Sequence, residues 1–193
     1  MVKIVLIRPG STDYDQERRI QGTLDVPLNK EGNAEVTRLI EALRPLKLDA
    51  VYAPGCQPAL ATAEAIAKAL DVKLKKLGRM HNLDHGLWQG MRIDEVRLRQ
   101  PKVYRQWQEM PQRICPPGGE MLDEAADRVR TAMAKLLKRH KDGVIGVVVP
   151  EPLASLVRNL LNHDALGNLW KASSEHGRWE VIEVQPEALA HTS

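Results

Sequence analysis

Apolar residues in this chain follow two rhythms. Val2 to Ile7 is a nearly continuous apolar run that stops at Pro9-Gly10, the pattern of a parallel strand buried on both faces. A helical period comes next. Val36, Leu39, Ile40 and Leu43 fall on one side of a helix over about 31–46. Asp49 to Tyr52 reads as a short strand, and Pro58 to Leu70 as a helix with Ala59, Ala63, Ile66, Ala67 and Leu70 inward. From Val72 to Leu77 apolar positions alternate with Lys73, Lys75 and Lys76, which suits a strand near a sheet edge.

The stretch from about 80 to 118 is less regular. Short helices are predicted near 92–99 and 101–109, and Pro111, Pro116, Pro117, Gly118 and Gly119 make a loop. Glu120 to Lys138 carries the clearest helical stripe: Leu122, Ala125, Ala126, Val129, Met133, Leu136 and Leu137. Gly143 to Val149 is a second fully apolar strand, Pro152 to Leu161 a helix, and Trp179 to Val184 a last strand. Alternating strands and helices predict one α/β domain over 1–193: three layers, α/β/α, around a mostly parallel sheet of about six strands.

Composition narrows the function classes. Of 193 residues, 43% are hydrophobic and 27% charged, and the net charge is +3, too mild to imply nucleic acid or a membrane surface as partner. Phe is absent and aromatics make up 4%, which argues against stacking platforms for single-stranded nucleic acid. The two cysteines, Cys56 and Cys115, have neither metal-ligand nor disulfide-framework spacing, so the expectation is a cytoplasmic protein. No apolar run approaches the roughly 18 residues of a membrane span.

Chemistry in such a sheet belongs to the loops at the strand carboxyl ends. The first reads Arg8-Pro9-Gly10-Ser11-Thr12 and continues through Arg19-Ile20-Gln21-Gly22 to Leu24-Asp25-Val26-Pro27-Leu28-Asn29. Further on come Thr62-Ala63-Glu64-Ala65-Ile66-Ala67, then Gly86-Leu87-Trp88-Gln89-Gly90, then Pro116-Pro117-Gly118-Gly119-Glu120. In order and spacing these motifs resemble the histidine phosphatase (phosphoglycerate-mutase-like) superfamily over nearly the whole chain. The resemblance implies a phosphoglycerate-mutase-like fold. In the family, a His after the first strand attacks a phosphoryl group, two Arg and a second His hold it, and an acid protonates the leaving oxygen.

The positions that the resemblance assigns to that chemistry hold other residues. The nucleophile falls at Pro9, the second Arg at Pro58, the acid at Asn82 and the second His at Pro150, followed by Glu151; only Arg8 remains. Proline has no nucleophilic side chain and no N–H to offer phosphate. Asn82 is no acid at neutral pH. The expectation is therefore a pseudoenzyme of this superfamily with a ligand- or protein-binding role, no cofactor, no metal, and a protein or a small anionic ligand as partner. Arg8, Ser11, Thr12, Arg19 and Gln21 are the candidates for holding an anion; alternatively Arg8 pairs with Glu151, leaving a pocket near neutral that binds phosphate weakly.

Two other function classes stay open. One is a phosphatase or mutase that has recruited His81 or His85, which with Asp84 cluster beside Asn82. The other is a conventional enzyme of the family. Structural or solvent-exposed roles are the simpler account of all six histidines, His81, His85, His140, His163, His176 and His191.

Overall fold

The computed structural model of the chain describes residues 1–185, 188 and 189. Five strands form its sheet: β1 (Val2–Ile7), β2 (Ala50–Ala53), β3 (Lys73–Lys76), β4 (Gly143–Val148) and β5 (Trp179–Val184). The helices are α1 (Asp13–Gln16), α2 (Lys30–Leu43), α3 (Ala59–Leu70), α4 (Ile93–Arg99), α5 (Pro101–Glu109), α6 (Leu122–Arg139), α7 (Leu153–Asn162) and α8 (Leu169–Ala172). Strand order is β3-β2-β4-β1-β5, all parallel except β5, which runs antiparallel to β1. Among the described residues the sheet thus has five strands where about six were expected, and each coincides with a strand read from the sequence.

Burial explains the apolar run of β1. Val2, Ile4 and Leu6 face one core with α6, α7 and the 80–114 segment, whereas Val5 and Ile7 face the other with α2 and α3. A strand buried on both faces has no position for a polar residue except at its end, where Lys3 reaches Glu183. The α6 stripe buries Leu122, Ala125, Val129, Met133, Leu136 and Leu137 as its spacing requires. Each large apolar side chain so buried contributes about 1.5–3 kcal/mol. β3 lies at the edge, and its lysines are exposed.

Proline starts two helices at little cost. Pro58 is the N-cap of α3 and Pro152 that of α7, positions where an N–H has no intrahelical partner. α2 begins at Asn29, whose side chain accepts from Gly32 N at 2.8 Å. Two short helices had no sequence forecast. α1 is a single turn set by the Thr12–Asp15 capping box, and α8 is capped by Asn168. Both are too short to show a hydrophobic period.

Candidate functional site

β1 and β4 are neighbours, so the loops after them meet at one end of the sheet. The loop after β1 is pinned from three sides. Gly10 N donates to Thr62 Oγ1 at 3.2 Å, Pro9 O accepts from Gly177 N at 2.8 Å, and Ser11 O accepts from Asn29 N at 3.0 Å. Gly32 packs so closely there that a Cβ would lie 2.0 Å from Ser11 O, so no other residue fits.

Pro9, Pro58 and Pro150 line a single cavity, together with Gln21, Arg19, Asp15 and His85. Asn82 is not in its wall but supports it from behind, donating from Nδ2 to Glu151 O at 3.1 Å. The cavity volume is about 40 Å³, far below the roughly 300–1,000 Å³ of drug-sized pockets.

Beneath the cavity lies a buried ion pair. Arg8 Nε donates to Glu151 Oε1 at 2.9 Å, with the two side chains 5% and 2% exposed. Arg8 Nη1 also reaches Glu180 Oε1 at 2.5 Å. The second Glu151 oxygen accepts from Ser155 N at 3.1 Å and Ser155 Oγ at 2.7 Å. Burial works against the Arg8 charge, but Glu151 and Glu180 outweigh it and hold the guanidinium above its ordinary range. Burial pushes the Glu151 carboxyl up, with Arg8 and Ser155 acting against it. Two carboxylates occupy the guanidinium that an anion would otherwise use.

The other anion-binding candidates divide. Arg19 and Gln21 do line the cavity. Arg19 pairs with Glu17 and donates from Nη1 to Gly90 O at 2.8 Å; Gln21 Nε2 donates to Leu24 O and Gln57 O, each at 3.2 Å. Ser11 and Thr12 turn inward instead. Ser11 Oγ meets Glu35 and His176 Nδ1, the latter at 2.8 Å, and Thr12 caps α1. His81 and His85 do not converge: His81 is exposed, whereas His85 is 3% exposed and stacks on Trp88 with centroids 6.4 Å apart. Burial lowers the His85 pKa to about 4, so its ring is neutral at pH 7. His191 lies outside the described residues.

The expectation of a near-neutral pocket needs correction. Besides the paired Glu151, the wall carries Asp15, Glu175 and His176, the last bonded to Glu35, and its one guanidinium among the described residues, Arg19, is already paired with Glu17. The balance is acidic. Asp15, Trp170, Ser173, Glu175 and His176 were not identified from the sequence as parts of a site. They arrive on α1, on α8 and on the loop after it, segments with no periodicity and no motif. Glu35, inside the polar stretch of α2, gave one weak signal, an acid beside the inward-facing Val36.

The family model for the histidine phosphatase superfamily (branch 1) matches residues 4–191. The chain belongs to that superfamily. Phosphoserine phosphatase 1 of Hydrogenobacter thermophilus is 30% identical over 186 residues, which cover 96% of this chain and 88% of that protein. A probable phosphoglycerate mutase, GpmB, of Salmonella choleraesuis is 32% identical over 138 residues, 72% of this chain and 64% of its own length. Among solved structures, Bacillus stearothermophilus YhfR matches with a TM-score of 0.81 at 26% identity, over 96% of this chain and 92% of that one. A mycobacterial glucosyl-3-phosphoglycerate phosphatase solved with VO3 has the same fold, with a TM-score of 0.80 at 20% identity over 96% and 99%. The phosphoglycerate-mutase-like architecture expected from the motifs is thus the one this chain adopts. No helix among the described residues is long and apolar enough to cross a membrane.

Proposed function

We propose that this chain is a noncatalytic member of the histidine phosphatase superfamily, one that uses the family cavity to bind a ligand or a protein rather than to transfer phosphoryl groups. The observation that carries this reading is the buried Arg8–Glu151 pair beside Pro9. The strand end offers no nucleophile. The remaining guanidinium is bonded to two carboxylates. Pro58 and Pro150 present apolar rings to the cavity where phosphoryl transfer needs cations and hydrogen-bond donors. Asn82 has its amide committed to Glu151 O and its oxygen to Leu83 N.

A phosphate dianion entering this site would give up hydration and meet carboxylates in return. The dissociation constant for phosphate is expected to be no tighter than about 1 mM, equivalent to roughly 4 kcal/mol. Calorimetric titration with phosphate and with vanadate measures it. Incubation with phosphoserine, 3-phosphoglycerate or p-nitrophenyl phosphate, followed by a search for an acid-labile phosphoenzyme, tests the chemistry. The expected result is neither turnover nor phosphoenzyme. A phosphoenzyme or turnover would overturn the reading, whereas micromolar affinity for phosphate without turnover would make the protein a phosphate-ligand sensor rather than a scaffold.

A second reading, a phosphatase with a recruited histidine, draws on one observation: His85 lines the cavity. Turnover abolished by His85→Gln would favour it. His81, exposed at the surface, offers that reading no support.

A further inference from the structure

The two edges of the sheet, β3 and β5, are built differently. β3 is four residues long and carries Lys73, Lys75 and Lys76, all exposed. Charge of that kind keeps a further strand from joining an edge. β5 is six residues long and has neither lysine nor proline. Its two carboxylates are paired inside the chain: Glu180 Oε1 accepts from Arg8 Nη1 at 2.5 Å, and Glu183 Oε1 meets Lys3 Nζ at 3.3 Å.

The ladder with β1 decides which backbone groups of β5 are left over. Arg8 N donates to Arg178 O at 2.8 Å, and the antiparallel register runs on from Ile7 opposite Trp179 to Val2 opposite Val184. Hydrogen-bonded and non-bonded pairs alternate along such a ladder. Arg178, Glu180, Ile182 and Val184 therefore bond to β1, whereas Trp179, Val181 and Glu183 turn their N–H and C=O groups to the open edge. Among the described residues no other backbone segment pairs with these three. Their side chains are not covered either. Val181 is 42% exposed, Glu183 is exposed, and Trp179 is half-buried. Trp179 and Val181 stand opposite Ile7 and Val5, so they extend the apolar face of β1 beyond α2.

A row of free N–H and C=O groups is a template for another strand. We propose that the edge takes β5 of a second copy of this chain, antiparallel and related by a two-fold axis at Val181. The three outward residues set the register. Val181 lies opposite its own counterpart, and Trp179 lies opposite Glu183 of the second copy, each pair exchanging two hydrogen bonds. Self-complementarity selects a copy over an unrelated strand. The residue on the axis is apolar, and Trp179 is within diagonal reach of the second copy's Val181. The carboxylates bring no free charge to the seam, because Arg8 and Lys3 hold them. Pairing through β3 would set lysines against lysines. The inference goes beyond the noncatalytic reading and does not depend on it, since no β5 residue lines the cavity.

One strand from each copy makes a small interface, so the dissociation constant is expected at roughly 10–100 µM. Sedimentation velocity of the full chain at pH 7, from about a tenth to ten times that range, is expected to show a reversible dimer. Val181→Lys places two ammonium groups at the axis. It should weaken the dimer at least about tenfold and leave the Tm of the monomer unchanged, because the position is exposed. Cross-linking tests the register. Val181→Cys is made on a Cys115→Ser background, which removes the exposed thiol and serves as the blank. Cα atoms of a hydrogen-bonded antiparallel pair lie about 5.5 Å apart, within disulfide reach, so oxidation is expected to give a covalent dimer. Glu183→Cys on the same background is expected to give none, because the two 183 positions are offset by four residues, roughly 14 Å along the strand. A monomer at every concentration, a dimer that Val181→Lys leaves intact, or cross-linking from 183 as efficient as from 181 would overturn the inference.

Discussion

The Gly86–Gly90 turn, which follows the cavity-lining His85, and the Arg8–Pro9 turn differ in what their side chains touch. Around the first, the family motifs are complete and engaged with backbone. Gly86 sits at φ +50°, where a Cβ would lie 2.2 Å from Pro117 O, so the turn closes against the Pro116–Glu120 loop only with glycine there. Glu120 accepts from Asp84 N at 3.0 Å and pairs with Arg128 at 2.6 Å, and Arg128 in turn donates to the Arg79, His81 and Asn82 carbonyls. Gln21 and Asp25 brace the backbone of Gln57 in the same way. At the second turn, no side chain that the motif would aim at a ligand remains free. The difference separates two duties that a motif combines. Residues that shape backbone are constrained by the fold and persist as long as it does. Residues that face the reacting group are constrained only by the reaction.

The widest test of that contrast is to treat Arg8 as what its contacts make it, a structural residue. Removing one member of a buried pair strands the other charge, which costs about 3–5 kcal/mol. Arg8→Met is expected to cost that much in chemical denaturation at pH 7. The double variant Arg8→Met/Glu151→Leu should recover most of the loss, because both charges leave together. An Arg8→Met protein as stable as the parent would mean that Arg8 is still held for a ligand and not for the fold.

This division also accounts for what could be read in the chain. Strands β1 and β4 and helices α3 and α6 were legible because two-sided burial or a long stripe leaves a strong period. The Arg8–Glu151 pair was legible too, as one of two alternatives, because motif spacing put the two residues at neighbouring strand ends. The acidic wall was not. Asp15 stands in a one-turn helix, and Glu175 and His176 in a loop that returns over the cavity from a distant part of the chain. Their convergence depends on long-range packing, and nothing local marks it. The sheet of about six strands expected from the alternation of elements has five among the described residues.

Acid should expose the same contrast from the other turn. His85 immediately precedes the Gly86–Gly90 turn and lines the cavity, and burial lowers its pKa from the ordinary His value to about 4. Between those values the unfolded chain binds the proton and the folded one does not. Stability therefore rises with pH across the window and is lost as pH falls from about 6.5 through 4, by about 3 kcal/mol at most from this residue. Denaturation at pH 7, 5.5 and 4.5 on the parent and on His85→Phe measures it. The expected outcome is a shallower loss in the variant, and equal slopes would place the acid sensitivity elsewhere.

The smallest effect is expected where the family would place its nucleophile. Pro9→His adds an imidazole to the end of β1 and leaves everything else in place. Its effect on stability should stay near 1 kcal/mol, because Pro9 O keeps its bond from Gly177 and the side chain borders a cavity. Its effect on activity should be nil. The new ring would find Arg8 still bonded to Glu151 and Glu180, and Pro58 and Pro150 still without cations or donors. Each missing donor removes roughly 10²–10³ in rate, and the groups act as a unit. Phosphoenzyme is expected only when Pro9→His is combined with Pro58→Arg, Asn82→Glu, Pro150→His and Glu151→Gly, the last to release Arg8. If Pro9→His alone becomes phosphorylated, the Arg8–Glu151 pair must open in the presence of a phosphate ester. The centre would then be one residue away from its chemistry, and the line drawn between frame and centre would lie at Pro9 alone.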